Sequence, residues 1–503
     1  MPTLAALDVG SNAMRLSIAQ VDGDQHMTML ETVRESVRLG QDVFTRGYIT
    51  DETIERALEA FRRFREMIDR HGASWVRAVA TSATREALNK ELFLDRIEQT
   101  ARITVTPIGP EEEARLVHMA VKEKVNLKGK VALLVDIGGG STEITLTNDT
   151  TILSTESYRM GSVRLLQLLE GKRGDERQLH RLVQEYVDAT QKRVTREIGS
   201  RKIGLCIGTG GNIDTLGDLR RQLLGKDKDS VLTLDDLDTL LRKMVAMTYE
   251  ERVAQLGLRP DRADVIVPAA IITRKILKLA GVDELIIPRV GLKDGLLVDM
   301  IQELYGDKKR LNRDQVLSST LELGRKFSFD EQHGTTVARL ALELFDQTRG
   351  LHHLGLDHRL LLEVAALLHD IGTFVSATDH HKHTQYLLMA SPVIGLAQEQ
   401  MAIIANVARY HRKSMPKPQH EYYRMLSSKE RVVVSKLSAL LRLADALDNE
   451  HASKVAEVTL DWKKPKLTLR MRGEGDLLLE KWAVMKKADM VEEVFGVKLA
   501  IEE

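Results

Sequence analysis

Cysteine is almost absent: Cys206 is the single one in 503 residues. An intrachain disulfide framework is excluded, and a reducing compartment is expected. Cys206 lies in the apolar run 203–207, which reads as packed core rather than as a nucleophile. Aromatic residues make up only 4% of the chain, too few for a base-stacking platform, so no nucleic-acid partner is expected. Charge of one sign is not in excess either, since 73 basic residues balance 73 acidic ones. The surface as a whole is therefore no generic polyanion binder, and any anion site must come from local clustering. No uncharged apolar run reaches the roughly 18 residues that a transmembrane helix needs. The first residues carry no basic stretch and meet Asp8 at once, unlike a secretory signal. Together these absences lead us to expect a soluble, cytoplasmic chain with no membrane association.

What is present is an ordinary globular composition, 43% hydrophobic and 29% charged. The length implies about three or four domains. Strand-like alternation marks residues 4–7, 15–21 and 27–30. A helix is expected over 51–71, with Thr50 as its N-cap and Gly72 beyond its end. Short strands follow at 76–80 and 103–107. A second helix opens at Pro110 with acids in its first turn and runs to about residue 124. The apolar run 131–135 begins a second block of the same design. Asp8-Val9-Gly10-Ser11-Asn12 and Asp136-Ile137-Gly138-Gly139-Gly140-Ser141-Thr142 each put an aspartate at a strand end, then glycine and hydroxyl, then a returning strand. That pattern marks an internal duplication. A third glycine turn, Gly208-Thr209-Gly210-Gly211-Asn212, falls between a strand at 203–207 and a helix at 213–223. Residues 312–450 are almost wholly helical in period and hold most of the histidines, while 453–503 return to short alternating segments. The expected domains are an α/β lobe at 1–124, a second at 125–305, a helical domain at 306–451 and a small α+β tail at 452–503.

A glycine-rich turn lets backbone N–H groups approach phosphate oxygens with no Cβ in the way. Hydroxyls from Ser11, Ser141, Thr142 and Thr209 would add donors. One such turn is ordinary loop punctuation. Three, two of them led by aspartate, describe a phosphate cleft lined from both lobes.

The ordered set of Asp8 to Leu16, Ala80-Thr81-Ser82-Ala83-Thr84-Arg85-Glu86-Ala87, Glu112-Glu113-Ala114, Asp136 to Glu143, Gly161-Ser162-Val163-Arg164-Leu165 and Gly208 to Asn212 resembles the exopolyphosphatase and guanosine pentaphosphate phosphohydrolase (Ppx/GppA) family. Arg262-Ala263-Asp264 and Gly291-Leu292-Lys293-Asp294-Gly295 extend the resemblance. It implies an α/β actin-like core of two ribonuclease H-like lobes related by duplication, followed by an all-α HD-like domain and the α+β tail of the long form. It also implies a hydrolase releasing orthophosphate from inorganic polyphosphate, or converting guanosine pentaphosphate to the tetraphosphate at the same site. Mg²⁺, a monovalent cation and a homodimer are the associated expectations. Lys293 departs from the family's usual arginine and loses the bidentate fork. Ile108-Gly109-Pro110 replaces a common serine-glycine, and proline is tolerated at a first helical position.

Hydrolysis of a terminal phosphoanhydride needs an in-line water, a group that takes its proton, and cations that spread charge over phosphoryl oxygens. On the residues alone Glu113 reads either as that base or, like Glu111 and Glu112, as a helix-dipole complement. The resemblance assigns it the base, and the helix N-terminus is expected to keep it ionised. Asp136 and Glu143, at the two ends of a glycine turn, suit a Mg²⁺ that keeps several waters, with Asp8 expected to share it. The expected phosphate contacts are Gly10, Ser11, Asn12, Arg15, Gly139, Gly140, Ser141, Thr142, Gly208, Thr209, Gly210, Gly211 and Asn212. Arg85 is the phosphate-binding arginine that the resemblance implies; it could equally pair with Glu86. Arg164 is a second candidate of that kind. Lys172-Arg173, Lys192-Arg193, Arg201-Lys202, and Arg412-Lys413 with Lys417 read either as a basic track for a long polyanion or as solvated helix faces.

In the helical domain His333, the pair His369-Asp370, and Asp445 stand in the order of an HD-type metal site, which facing helices could converge on one divalent ion. His380, His381, His383 and His411 are candidate ligands for a second ion. Each histidine alone reads equally as a surface or core residue. The leading function is exopolyphosphatase. The alternatives are guanosine pentaphosphate phosphohydrolase at the same site and a metal phosphohydrolase centred on the HD-like domain.

Overall fold

The computed structural model describes the chain except residues 149–150, 170–175, 200, 227–229, 306–307, 413, 464 and 503. It separates into two compact units, Met1–Leu311 and Asn312–Glu503. Among the described residues no helix is long and apolar enough to cross a membrane.

Two sheets build the first unit. Strands β1 (Thr3–Val9), β2 (Met14–Val21), β3 (Met27–Glu35), β4 (Trp75–Ala80) and β5 (Val105–Pro107) lie in the order β3-β2-β1-β4-β5. The first three form an antiparallel meander, while β4 runs parallel to β1 and β5 parallel to β4. The second sheet holds β6 (Val131–Ile137), β7 (Thr142–Asn148), β8 (Thr151–Tyr158), β9 (Leu205–Thr209), β10 (Val231–Thr233) and β11 (Glu284–Ile286), ordered β10-β11-β9-β6-β7-β8. With the short antiparallel β10 set aside, order and strand directions repeat those of the first sheet. The duplication seen in two short motifs is thus a duplication of topology. β1 is buried along its whole length, so the alternation expected over residues 4–7 is replaced by apolar residues on both faces.

Helix Asp51–Arg70 starts where Thr50 accepts a hydrogen bond from the Thr53 N–H. Its Ile54, Ala57, Phe61, Phe64 and Ile68 pack into the core of the first lobe. Helix Pro110–Lys122 is seated by helix Leu292–Tyr305. A Cβ on Gly295 would fall 1.9 Å from the Leu116 carbonyl oxygen, so only glycine permits this crossing. Beside it, Arg115 donates to Asp299 at 3.0 Å and to Glu112 at 2.7 Å. One hydrophobic cluster draws Leu4 and Ala6 from β1, Leu134 from β6 and Ile207 from β9 around Leu116, Val117 and Leu297 of these two helices. That cluster fastens the two lobes to each other.

In the second unit the main helices are Glu331–Gln347, Leu356–Leu368, His380–Ala390, Gln398–Arg409 and Ser428–Ala446. They lead into β12 (Val455–Lys463), β13 (Lys466–Gly473) and β14 (Lys498–Glu502), ordered β12-β13-β14. Val458, Leu469 and Val491 share one core with Leu340, Leu344, Leu437 and Leu441. The C-terminal segment buries the apolar face of its small sheet against the helices, because a three-stranded sheet needs a partner for that face.

If the Gly295 crossing seats the helix that carries Glu113, Gly295→Ala should cost roughly 1–3 kcal/mol of stability through overpacking. Denaturant unfolding measures this, and an unchanged midpoint would show that the crossing yields freely.

Candidate active site

Asp8 and Asp136 hold the same place in the two sheets, next to last in β1 and β6. Their antiparallel neighbours are Arg15 and Glu143. The same register therefore makes an ion pair in one lobe and a pair of acids in the other. Arg15 Nη1 donates to Asp8 Oδ2 at 2.8 Å, whereas Asp136 stands beside Glu143. Helix Pro110–Lys122 brings Glu113 to the same point, and oxygens of Glu113, Asp136 and Glu143 lie within 4.8 Å of one another. Ala114, Val117 and Leu134 wall the small cavity they share. Arg85 Nη1 lies 3.5 Å from Glu113 Oε2 and donates to the Ile108 carbonyl at 2.5 Å.

Burial is the largest influence on these acids. It pushes Asp136 up to about 6, and burial followed by the Asp136 charge pushes Glu143 up to about 7. Glu113 rises well above the usual carboxylate range through burial, then the Glu143 charge, with Arg85 opposing. The expectation that the helix N-terminus keeps Glu113 ionised is overturned. A helix end contributes about 0.3–1 kcal/mol, too little against desolvation beside two other acids. A cation held among the three would oppose these shifts and favour their ionised forms.

Next to Asp136 the charge changes sign. Gly210, with φ 94°, turns the chain out of β9 so closely that a Cβ would sit 2.8 Å from Asp136 Oδ1. Helix Gly211–Leu224 starts there. A Cβ on Gly211 would lie 2.7 Å from Arg262 Nη2 and 3.5 Å from Arg15 Nη2. Arg262 is buried, donates to Asn212 Oδ1, and has its pKa pulled down to about 10 by burial and then by Arg15 and Arg34. Asn12 donates to the Asp261 carbonyl at 3.1 Å, and Arg34 pairs with the Asp261 carboxylate. Two guanidinium groups and a helix N-terminus thus stand together, a fit for phosphoryl oxygens.

With this arrangement in view, residues 17–304 match the profile of the Ppx/GppA phosphatase family, and residues 317–487 that of Ppx/GppA phosphatase domain III. The chain belongs to the Ppx/GppA phosphatase family. A Vibrio vulnificus protein named guanosine-5'-triphosphate,3'-diphosphate pyrophosphatase is 26% identical over 471 residues, covering 93% of this chain and 91% of the relative. One of the same name from Aliivibrio fischeri is 26% identical over 492 residues, covering 94% and 92%. A solved exopolyphosphatase from Cytophaga hutchinsonii superposes with a TM-score of 0.56 at 29% identity, covering 60% of this chain and 98% of that one. The Aquifex aeolicus Ppx/GppA family member gives 0.52 at 27%, with 60% and 98% covered. This Ppx/GppA member is a hydrolase of phosphoanhydride bonds.

Several expected contacts of this family member have other partners. Arg85 turns to Glu113, while Glu86 pairs with Arg159 and Arg164. Arg164 also donates to the Gly140 carbonyl at 2.6 Å and lies 3.9 Å over the Phe44 ring, so it clamps the turn. Thr142 is fully buried and donates to the Met160 carbonyl at 3.0 Å. Ser11 Oγ is 2.9 Å from Ser82 Oγ and accepts from the Ala83 N–H at 3.3 Å; it staples the first turn. Gly208 lies within β9, where a side chain would strike Leu285. At Gly140 a Cβ would fall 2.1 Å from Ser82 Oγ and 2.5 Å from Phe44, so Gly139 and Gly140 serve the close approach of the two turns. Asp8 is not one of the trio, because its charge is matched by Arg15.

Gly10 and Gly138 close equivalent turns, their N–H groups donating to Ala13 and Ser141 carbonyls at 3.2 and 3.0 Å. Thr209 is the register neighbour of Asp136. Lys293 pairs with Asp294 at 2.8 Å. Of the basic residues, Arg193 lies 4.9 Å over Tyr158. Arg412 and Lys417 belong to the second unit, and Lys172, Arg173 and Lys413 lie outside the described residues. Arg34, on a mostly exposed strand, carried no local signal; Arg262 was visible only within its triplet.

The second unit brings its four expected residues together in two groups. His333 and His369 lie Nε2 to Nε2 at 3.2 Å, with Asp445 Oδ1 3.5 Å from His369 Nε2. Asp370 Oδ1 lies 3.1 Å from His380 Nε2 and 3.4 Å from His411 Nε2. His381 and His383 belong to neither group.

Glu143 sits at about 7 in the fold against an ordinary 4.5, so folding favours its protonated form. That contribution is complete below about pH 4.5 and is lost as pH rises through 7. Without divalent ions, Glu143→Gln should match the parent at about pH 4 and gain roughly 3 kcal/mol at about pH 8. Unfolding curves in chelator at both pH values check this; a difference of the same size at each would mean that the acid is not buried beside its neighbours.

Proposed function

We propose that this chain is a Mg²⁺-dependent exopolyphosphatase that removes terminal phosphate from inorganic polyphosphate. Glu113 beside Asp136 and Glu143, facing Arg15 and Arg262, is the observation that carries the reading. The acids fit a divalent ion, since Glu143 Oε2 is buried outside any hydrogen bond of normal geometry and three crowded carboxylates need positive charge among them. Asp136 and Glu143 would hold it, and bound Mg²⁺ supplies charge against the phosphoryl oxygens. Glu113, steadied by Arg85, takes the proton of the attacking water. The bond from the water oxygen to the terminal phosphorus forms as the bridging P–O bond breaks, and its electron pair leaves with the shortened chain. Arg15, Arg262 and the amides of helix Gly211–Leu224 hold the phosphates behind it.

Hydrolysis of guanosine pentaphosphate at the same site is the second reading. It is favoured by the Vibrio and Aliivibrio relatives, which match over 91% and 92% of their length. We also infer a cytoplasmic location and an HD-like architecture for the helical part of the second unit. A homodimer belongs to the same reading, supported by Leu478, Trp482 and Met485, which are exposed one helical turn apart.

The test is free phosphate released from long-chain polyphosphate and from guanosine pentaphosphate, in parallel, with Mg²⁺ and no acceptor. Release from polyphosphate should dominate, and Glu113→Gln should lower kcat by about 10²–10⁴-fold. Release from the pentaphosphate alone would select the second reading, and a Glu113→Gln variant near the parent rate would remove Glu113 from the chemistry.

A further inference from the structure

The histidines of the second unit are arranged in a way that a satisfied core does not require. His369 Nδ1 donates to the Ala366 carbonyl at 2.7 Å, His411 Nδ1 to Ala408 at 2.6 Å and His380 Nδ1 to Ala377 at 3.2 Å. A carbonyl oxygen can only accept, so each Nδ1 carries the proton and each neutral ring presents a bare Nε2 lone pair. His333 Nδ1 is anchored the same way, 2.8 Å from the buried Asp448 carboxylate. The Nε2 atoms then face each other in pairs, His333 with His369 at 3.2 Å and His380 with His411 at 3.1 Å. Two lone pairs at that distance repel unless a proton or a metal ion stands between them.

We propose that the second unit holds two divalent transition-metal ions, one on His333, His369 and Asp445 and the other on Asp370, His380 and His411, with Asp370 Oδ1 shared between them. The spacing fits. Ligands about 2.1 Å from one ion stand about 3.0–3.4 Å apart in octahedral or tetrahedral geometry. Within the first group the separations are 3.2, 3.5 and 3.8 Å; within the second they are 3.1, 3.1 and 3.4 Å. Asp370 Oδ1 is 3.8 Å from His369 Nε2 and thus adjoins both groups, and it is buried outside any hydrogen bond of normal geometry. Lys487 pairs with Asp445 Oδ2 and leaves Oδ1 to the cluster.

The anchored Nδ1 atoms set tautomer and ring direction, as outer partners do around metal-binding histidines. His451 stacks on His333 with centroids 3.5 Å apart and braces its other face. Imidazole-rich groups favour Mn²⁺, Fe²⁺ or Zn²⁺ over Mg²⁺. Three protein ligands for each ion leave open positions for water or an oxyanion. Asp370 and His380, with side chains 23% and 13% exposed, put those positions at the solvent-reached edge.

The experiment strips the full-length protein with chelator and titrates it with MnCl₂ in excess Mg²⁺, reading stoichiometry by calorimetry and bound metal by mass spectrometry. Two Mn²⁺ per chain are expected, with exchange coupling between them in low-temperature electron paramagnetic resonance. His411→Gln should retain one and lose the coupling, and Asp370→Asn should retain less than one. Thermal unfolding of each metal-free variant establishes that it has folded. Absence of Mn²⁺ binding by the parent protein would overturn the proposal, as would a single uncoupled ion or parent-like stoichiometry in a folded Asp370→Asn variant. Polyphosphate hydrolysis is a separate reading, so either conclusion can fail without the other.

Discussion

Crowding of Glu113, Asp136 and Glu143 into one small cavity is the constraint around which the first unit is organised. Acids so placed repel each other and resist ionising, and they stay together only because each is fixed from outside. Asp136 and Glu143 are locked as register partners on β6 and β7. Glu113 is carried in by a helix that has no freedom to retreat, being gripped through Arg115 and Asp299 and crossed at Gly295. The interlobe hydrophobic cluster and this remote ion-pair network hold a charge arrangement that is unfavourable in itself. A bound cation would relieve that repulsion.

Duplication supplies the frame but not symmetric chemistry. One register position holds Arg15 opposite Asp8 in the first lobe and Glu143 opposite Asp136 in the second. That single difference of charge sign pairs Asp8 with a cation and sets a second acid beside Asp136. The glycines also divide their work. Gly210 supplies a left-handed turn beside Asp136, while Gly139, Gly140 and Gly161 allow backbone to meet backbone and side chain where any Cβ would collide.

The two compact units present different donor sets. Carboxylate oxygens dominate the first, which suits a hard ion that keeps its water. Imidazole nitrogens with two aspartates make up the second, which suits softer ions. On both proposals the two units would select different metals by ligand type rather than by affinity alone.

By itself the sequence determined the class of the protein: two repeated α/β halves and a helical histidine-bearing region, with Glu113, Asp136, Glu143 and the four HD-type residues as candidates marked by family resemblance. These were legible because they are local, each being a strand end, a helix start or a short ordered motif. Only the tertiary structure decided what those residues face. Thr142, Ser11 and Arg164 belong to motifs yet spend their polar atoms on protein partners, and Arg34 reaches Asp261 from 227 positions away. The ionisation of Glu113 likewise follows from burial beside acids distant in the chain, and the lone-pair contacts of His333 and His411 follow from which way their rings are turned. Spacing along a chain specifies which element carries a side chain, but desolvation and the sign of the neighbouring charge are set only when separate elements close around it.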